Sequence, residues 1–164
     1  MSLPPSGVVV IGIGNIIRSD DGLGIRAIRR LRQRHRLRPE VDLIEGGTAG
    51  LLLLPYIAAA RRAIIIDAIN IGAPAGTLIR LAEVQRVFAK GLTPHDVGLA
   101  DLLDAARLAD VWPETLILHG AQPASTAIGT ELTAAVDASL EPLADAIEAE
   151  LSVWGHTVSC GAIP

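Results

Sequence analysis

Short apolar runs alternate along the chain with longer segments in which apolar residues recur every three or four positions. The short runs predict buried strands, and the longer segments predict amphipathic helices. Strands are expected at 7–13, 41–45, 63–67, 77–81 and 115–121, and helices at 22–36, 51–60, 83–89, 96–108 and 133–151. Because strands alternate with helices, the pattern predicts an α/β fold: a mostly parallel, five-stranded twisted sheet with helices on both faces.

The strand at 77–81 departs from the parallel arrangement. The preceding loop, 70–76, is rich in Gly and Pro and favours a tight return from the strand at 63–67. Such a return makes 77–81 an antiparallel edge strand. Near the C-terminus, Pro142 predicts a kink or break in the last helix.

We expect a single domain over residues 1–164, because a chain of this length has room for one core. That core is expected to span about residues 7–151. Residues 152–164 are expected to form a C-terminal tail that frays from Trp154 onwards.

The first strand leads into a glycine turn and then a polar loop. Gly12 and Gly14 form the turn, and the loop carries Asp20 and Asp21 just before the helix at 22–36. Either aspartate could cap that helix, since a carboxylate accepts the free N–H groups of a first turn. Acids beyond the carboxyl end of a strand also lie where open α/β sheets keep their binding sites.

Three side chains are expected to meet at one rim of the sheet. Asp21 follows the first strand, Asp67 ends the third, and His95 precedes the helix at 96–108. Two carboxylates and an imidazole suit a divalent transition metal such as nickel or zinc. Each residue also has a plainer interpretation, as a helix cap, a turn former or a first-turn polar residue.

The remaining acids and histidines are less informative. Glu45 ends the second strand before Gly46 and Gly47, where it could join the site or fix the loop by accepting backbone N–H bonds. His119 lies within an apolar strand and reads as a core histidine whose polar atoms are satisfied. His35 and His156 read as surface residues.

Composition narrows the class of protein. Hydrophobic residues make up 50% of the chain and aromatic residues only 2%, so the core must be aliphatic. A net charge of -4 argues against a nucleic-acid partner, and the basic run at 29–38 reads as the solvated face of a helix. The single cysteine, Cys160, excludes an intrachain disulfide. Without a signal peptide or a bilayer-length apolar run, we expect a cytoplasmic protein that does not insert into membranes. The acidic balance of charge and the lack of a clear apolar stripe favour a monomer.

Motifs spread from about residue 8 to residue 151 resemble those of the hydrogenase maturation proteases. The matching segments are GIGNIIRSDDGLG at 12–24, EGGTAG at 45–50, IDA at 66–68 with GAPAGT at 72–77, and TPHDVGL at 93–99, with a weaker match at Gln122-Pro123. They occur in the family's order. A glycine turn alone would not produce this series.

The resemblance implies a three-layer α/β/α sandwich and an aspartyl-type endopeptidase. It implies removal of the C-terminal extension of the nickel-iron hydrogenase large-subunit precursor after nickel insertion. Nickel then arrives with the substrate, and zinc or cadmium are expected to occupy the site in vitro. The family's metal-contacting positions fall on Asp21, Asp67 and His95, which we also take as the catalytic residues. We expect Glu45, Gly46, Gly47 and Thr48 to contact substrate.

Two family positions differ here. The family often has Glu where this chain has Asp21, a side chain longer by about 1.5 Å. It also often has Asp where this chain has Glu45.

The sequence offers no side-chain nucleophile with a matching base. Ser19 and Ser125 have no evident partner, and no Ser-His-Asp order or Cys-His pair is present. Three alternatives stay open: a non-catalytic nickel-sensing chaperone of the precursor, a related peptidase with other substrates, and a dinucleotide-binding protein. The last lacks its third glycine, since Ile17 stands in that place.

Overall fold

The computed structural model describes residues 7–89 and 97–158. The strands are β1 (Val8–Ile13), β2 (Asp42–Gly47), β3 (Arg62–Ala68), β4 (Leu78–Leu81) and β5 (Thr115–Ala121). The α-helices are α1 (Leu23–Arg34), α2 (Leu54–Ala59), α3 (Val84–Ala89), α4 (Val97–Leu108) and α5 (Ala134–Val153). Two short 3-10 helices, Ser19–Gly22 and Gly50–Leu53, lead into α1 and α2. None of the described helices is long and apolar enough to cross a lipid bilayer.

The five strands form one sheet in the order β2-β1-β3-β5-β4. All neighbours are parallel except β4, which runs antiparallel to β5 at the edge. The predicted fold class is confirmed: helices cover both faces of a mostly parallel sheet. The carboxyl ends of β1, β3 and β5 therefore lie side by side.

Alternate residues of β1 enter two separate aliphatic cores. Val9 and Ile11 pack with α2 and α4 on one face of the sheet. Val8 and Val10 pack with α1 and α5 on the other. All four side chains are buried, which explains why β1 reads as a continuous apolar run. The three layers follow from this two-sided burial.

The partner of β4 differs from the sequence-based expectation. The loop at 70–76 does not return β4 onto β3, because β5 lies between them and Leu78 pairs with Ala121. Gln122 holds that loop across the end of β5. Its Oε1 accepts hydrogen bonds from the N–H groups of Ile71 at 2.8 Å and Ala73 at 3.2 Å.

The basic run on α1 is only partly a solvated face. The side chain of Arg34 is 8% exposed and donates to Asp145 at 2.8 Å and to Glu148 at 3.1 Å, as well as to Glu141. These acids lie on α5, so Arg34 ties the two helices of this layer together. The prediction of full solvation is wrong at this residue.

The C-terminal region is more ordered than predicted. Helix α5 runs through Pro142 without the predicted break, and the carbonyl that loses its N–H partner belongs to the exposed Ala138. Thr157 forms a β-bridge with Leu37, and the Trp154 ring lies 5.5 Å from the guanidinium carbon of Arg62. Fraying is therefore wrong for 154–158, while Cys160 lies outside the described residues.

Candidate active site

A pocket of about 610 Å³ opens at the carboxyl ends of β1, β3 and β5. Its walls come from the loops that follow these strands, from the turn after β2 and from the first residues of α4. Among the described residues, its lining includes Ile13, Gly14, Asn15, Arg18, Asp21, Gly47, Thr48, Gly50, Leu53, Ala68, Asn70, Gly98, Leu99, Leu102, Pro123, Ala124, Ser125 and Thr126. The pocket occupies the position where parallel α/β sheets bind ligands.

Asp21 faces this pocket from the 3-10 helix that follows β1. Its Oδ2 accepts a hydrogen bond from the backbone N–H of Asn15 at 2.8 Å, which orients the carboxylate. Gly14 makes this placement possible: its φ is +118°, and a Cβ there would lie 1.8 Å from the carbonyl oxygen of Asp21. The glycine turn thus brings the aspartate against the end of β1.

Asp67 lies beside the same pocket at the end of the neighbouring strand. It is fully buried in β3, and its Oδ1 accepts from the N–H of Ala68 at 2.8 Å. The next residue, Ala68, lines the pocket. Because β1 and β3 are adjacent and parallel, both carboxylates belong to one edge of the sheet.

Gly24 sets the distance between the Asp21 segment and the strand ends. A Cβ at Gly24 would lie 2.3 Å from the carbonyl oxygen of Ile13 and 2.4 Å from that of Ile66. Contacts under 3.0 Å with backbone atoms mean that any side chain here would force these segments apart. The missing side chain lets the first turn of α1 rest on both β1 and β3.

Asp20 has a different role from its neighbour. It is fully buried and accepts hydrogen bonds from the backbone N–H groups of Ala124 at 2.8 Å, Ser125 at 3.0 Å and Thr133 at 2.7 Å. Burial alone would raise the pKa of Asp20, but these bonds and that of the Thr133 hydroxyl outweigh it and lower the pKa. Asp20 thereby fastens the loop after β5, which forms one wall of the pocket.

Neither aspartate caps α1, contrary to the sequence-based prediction. The N-cap residue is Gly22, and no side chain caps the helix. Both carboxylates are directed to other backbone N–H groups, as described above. The preceding 3-10 helix places them away from the free N–H groups of α1.

Glu45 binds two arginines of α1 instead of lining the pocket. Its carboxylate accepts from Arg29 at 3.0 Å and from Arg32 at 2.6 Å. The hydrogen bond from Arg29 lowers the pKa of Glu45 below its usual value. Of the four residues predicted to contact substrate, Gly47 and Thr48 line the pocket, and the structure places Gly46 in the buried part of β2.

The hydrogenase maturation protease model matches residues 25–150 of this chain. The chain belongs to the hydrogenase maturation protease family. The hydrogenase 2 maturation protease of Escherichia coli is 38% identical over 151 residues, covering 90% of this chain and 92% of that protein. The HupD hydrogenase expression/formation protein of Rhodobacter capsulatus is 35% identical over 163 residues, covering 96% and 77%.

Solved structures of this family share the fold. The hydrogenase-maturating endopeptidase HybD of E. coli superposes with a TM-score of 0.82 at 37% identity, covering 91% of this chain and 94% of that chain. The maturation protease HycI of Thermococcus kodakarensis gives 0.72 at 26% identity, covering 88% and 92%. The chain is therefore a peptidase of the hydrogenase maturation protease family.

His95, the third predicted metal-contacting residue, lies outside the described residues. Within residues 7–89 and 97–158, no group of three or more His, Cys, Asp or Glu side chains is arranged to hold a metal ion. The complete set of Asp21, Asp67 and His95 thus stays a prediction.

The other histidines of this maturation protease lie near acidic side chains or are exposed to solvent, and they do not line the pocket. His119 is buried, with its Nε2 3.4 Å from Oε1 of Glu150 on α5. Burial lowers the pKa of His119, Arg80 adds to this effect, and Glu150 opposes it. His35 is exposed just after α1, as predicted, whereas the side chain of His156 is only 19% exposed and lies 3.8 Å from Glu40. In the described part of the chain, no imidazole lines the pocket.

The two serines near the pocket are held by the loop after β5. The hydroxyl of Ser19 donates to the carbonyl of Ala127 at 2.9 Å, and the hydroxyl of Ser125 accepts from the Ala127 N–H at 3.2 Å. Both contacts organise the wall of the pocket. Neither pairs a hydroxyl with a general base, as nucleophilic catalysis would require.

Proposed function

We propose that this peptidase removes the C-terminal extension of a nickel-iron hydrogenase large-subunit precursor after nickel insertion. Membership of the family supports hydrogenase maturation, and the E. coli relative is named as the maturation protease of hydrogenase 2. The main structural support is a pair of carboxylates at one edge of the sheet, with Asp21 in the pocket lining and Asp67 next in sequence to the lining residue Ala68. The proposal places the reaction in the cytoplasm, with the chain acting as a monomer.

In this proposal nickel belongs to the substrate. Asp21, Asp67 and His95 complete the coordination of the nickel that the precursor presents, and oxygen and nitrogen donors suit such an ion. Burial of Asp67 strengthens its attraction to a cation at the pocket edge, because the local dielectric constant is low. Binding of the nickel positions the precursor's C-terminal segment in the pocket.

The peptide bond is then cleaved without a side-chain nucleophile. A divalent metal polarises a carbonyl oxygen and lowers the pKa of a water, and a carboxylate accepts the proton of that water. Asp21 is the carboxylate with access to the pocket. This chemistry depends on aspartate and corresponds to the predicted aspartyl-type activity.

The test compares nickel-loaded and nickel-free precursor, each incubated with the protein and then weighed by mass spectrometry. We expect loss of the C-terminal extension only from the nickel-loaded precursor. His95→Ala and Asp21→Asn should stop this cleavage while leaving the thermal unfolding midpoint within a few degrees of the native value. His35→Ala is the matched control, since His35 is exposed after α1 and distant in sequence from the pocket loops.

Two results would contradict the proposal. Normal cleavage of the precursor by His95→Ala would contradict the assignment of His95 as a metal-contacting residue. A precursor that binds in a nickel-dependent way but keeps its mass would instead show a chaperone that senses nickel without catalysis.

A further inference from the structure

The pocket is divided into a polar side and an apolar side. Asn15, Arg18 and Asp21 form the polar side. The apolar side consists of core residues at the ends of β1, the second 3-10 helix and α4. These are Ile13, Leu53, Leu99 and Leu102. These four side chains, called the apolar floor below, have no atoms that coordinate nickel, so their presence in the pocket needs a separate explanation.

Two glycines form the end of this apolar compartment. Gly50 begins the second 3-10 helix and Gly98 lies in the first turn of α4, and both line the pocket. A Cβ at Gly98 would lie 3.8 Å from the Cα of Gly50, with no other described atom within 4 Å. The backbones of the two glycines therefore lie close together, and neither carries a side chain that would narrow this end of the pocket.

Exposed apolar residues, called the apolar rim below, are also concentrated in the chain segments that contribute to the pocket lining. Among the described residues, six of the ten exposed large hydrophobic side chains lie in the loops and the 3-10 helix that line it. They are Ile16, Ile17, Leu51, Leu52, Ile71 and Ile128. Concentrated exposed apolar surface marks a site for a protein partner, whereas a small polar substrate would gain nothing from it.

We propose that the apolar compartment, which Leu53, Leu99 and Leu102 line and which Gly50 and Gly98 bound at one end, is a specificity subsite for a large apolar side chain of the precursor, next to the peptide bond that is cleaved. The inference rests on the proposed function and adds the substrate class to it. Asp21 and the apolar floor share one pocket, so a peptide held at Asp21 reaches the floor with an adjacent side chain. The apolar rim receives the flanking segment of the same peptide.

The subsite predicts a graded preference at one of the two positions that flank the cleaved bond. Placing Leu rather than Ala there should raise kcat/KM by about 10-fold or more, since a single methylene group in an apolar pocket already gives a discrimination of about 10- to 200-fold. Asp at that position should be rejected, because its charge would be buried against Leu53 and Leu99 without a partner.

The test introduces a side chain of the enzyme into the compartment by substituting Gly98. Gly98→Ala and Gly98→Leu are assayed against nickel-loaded precursors that carry Ala or Leu at each flanking position. Filling should abolish or invert the Leu-over-Ala preference, and Gly98→Leu should have the larger effect. Ala149→Leu, at an exposed position of α5, creates the same side chain away from the pocket and should leave the preference unchanged.

Binding of the same precursors, measured by calorimetry, separates this inference from the proposed function. If the native enzyme cleaves but shows no Leu preference, or if Gly98→Leu keeps the native preference, the subsite assignment is overturned and the proteolytic function stands. If no precursor is cleaved, the proposed function fails. In that case the subsite is supported if the precursor with Leu binds more tightly than the precursor with Ala and Gly98→Leu abolishes this difference. It is overturned if the affinity is the same for both precursors and is unaffected by Gly98→Leu.

Discussion

The charge of Asp20 should contribute several kcal/mol to the stability of this protein. In Asp20→Asn, one oxygen can still accept from Ala124 and Ser125, but the new amide group faces the Thr133 N–H that now binds Oδ1. Leaving that buried donor unsatisfied costs about 1–3 kcal/mol, and changing the other bonds from charged to neutral adds about 1 kcal/mol. We therefore expect a loss of about 2–4 kcal/mol at pH 7.

The loss should depend on pH with a definite sign. Because the pKa of Asp20 is lowered in the folded protein, its ionised form stabilises the fold above the unfolded-state pKa of about 3.9. That contribution disappears as the pH falls through the lower, folded-state pKa. The difference in stability between the native protein and Asp20→Asn should therefore be full at pH 7 and pH 5, and should shrink below pH 4.

Urea unfolding followed by circular dichroism at pH 7, 5, 4 and 3 measures this difference. Asp101→Asn is the matched control, since Asp101 is exposed on α4, and its effect should stay within about 0.5 kcal/mol. A loss below 1 kcal/mol at pH 7, or the same loss at pH 3 as at pH 7, would refute the role assigned to the Asp20 carboxylate.

Two further substitutions test the close packing of α1 and the position of Glu45. Gly24→Ala should lower the free energy of unfolding by about 3 kcal/mol or more, although Ala normally stabilises a helix by about 0.5–1 kcal/mol over Gly, because its Cβ would meet two backbone carbonyls. A gain in stability, measured by chemical denaturation beside Gly98→Ala, would contradict the packing. Glu45→Gln should cost less than about 1 kcal/mol, since the ion pairs with Arg29 and Arg32 are exposed, and should leave processing unchanged. A tenfold rise in KM in a processing assay would instead support the sequence-based assignment of Glu45 to substrate contact.

The centre of the sheet was largely predictable because β1, β3 and β5 are mostly apolar and buried. The expected range of β5, 115–121, coincides with the observed strand, and β1 and β3 differ from expectation by one residue at each displaced end. Burial on both faces removes the ambiguity that a half-exposed strand would leave. The predicted parallel arrangement of β1 and β3 is sufficient to place Asp21 and Asp67 at one edge of the sheet.

The partner of β4 could not be predicted in the same way. A Gly- and Pro-rich loop at 70–76 is compatible with a return onto β3 or with a passage across the end of β5. The choice depends on β5, which follows about 35 residues later in the sequence, and on Gln122, whose side chain accepts hydrogen bonds from that loop. Local turn chemistry does not contain this information.

The two consecutive aspartates show that the roles of site residues also depend on contacts with distant segments, which local sequence does not reveal. Asp20 and Asp21 have identical chemistry and neighbouring positions, and either could have capped α1 by local rules. Their roles separate because the loop after β5, more than 100 residues away, directs three backbone N–H groups to Asp20. With the Asp20 carboxylate bound by that loop, the Asp21 carboxylate remains directed at the pocket, held by the Asn15 N–H. The wall that Asp20 fastens and the acid that Asp21 presents thus depend on one another, since loosening the loop would change the pocket into which Asp21 projects.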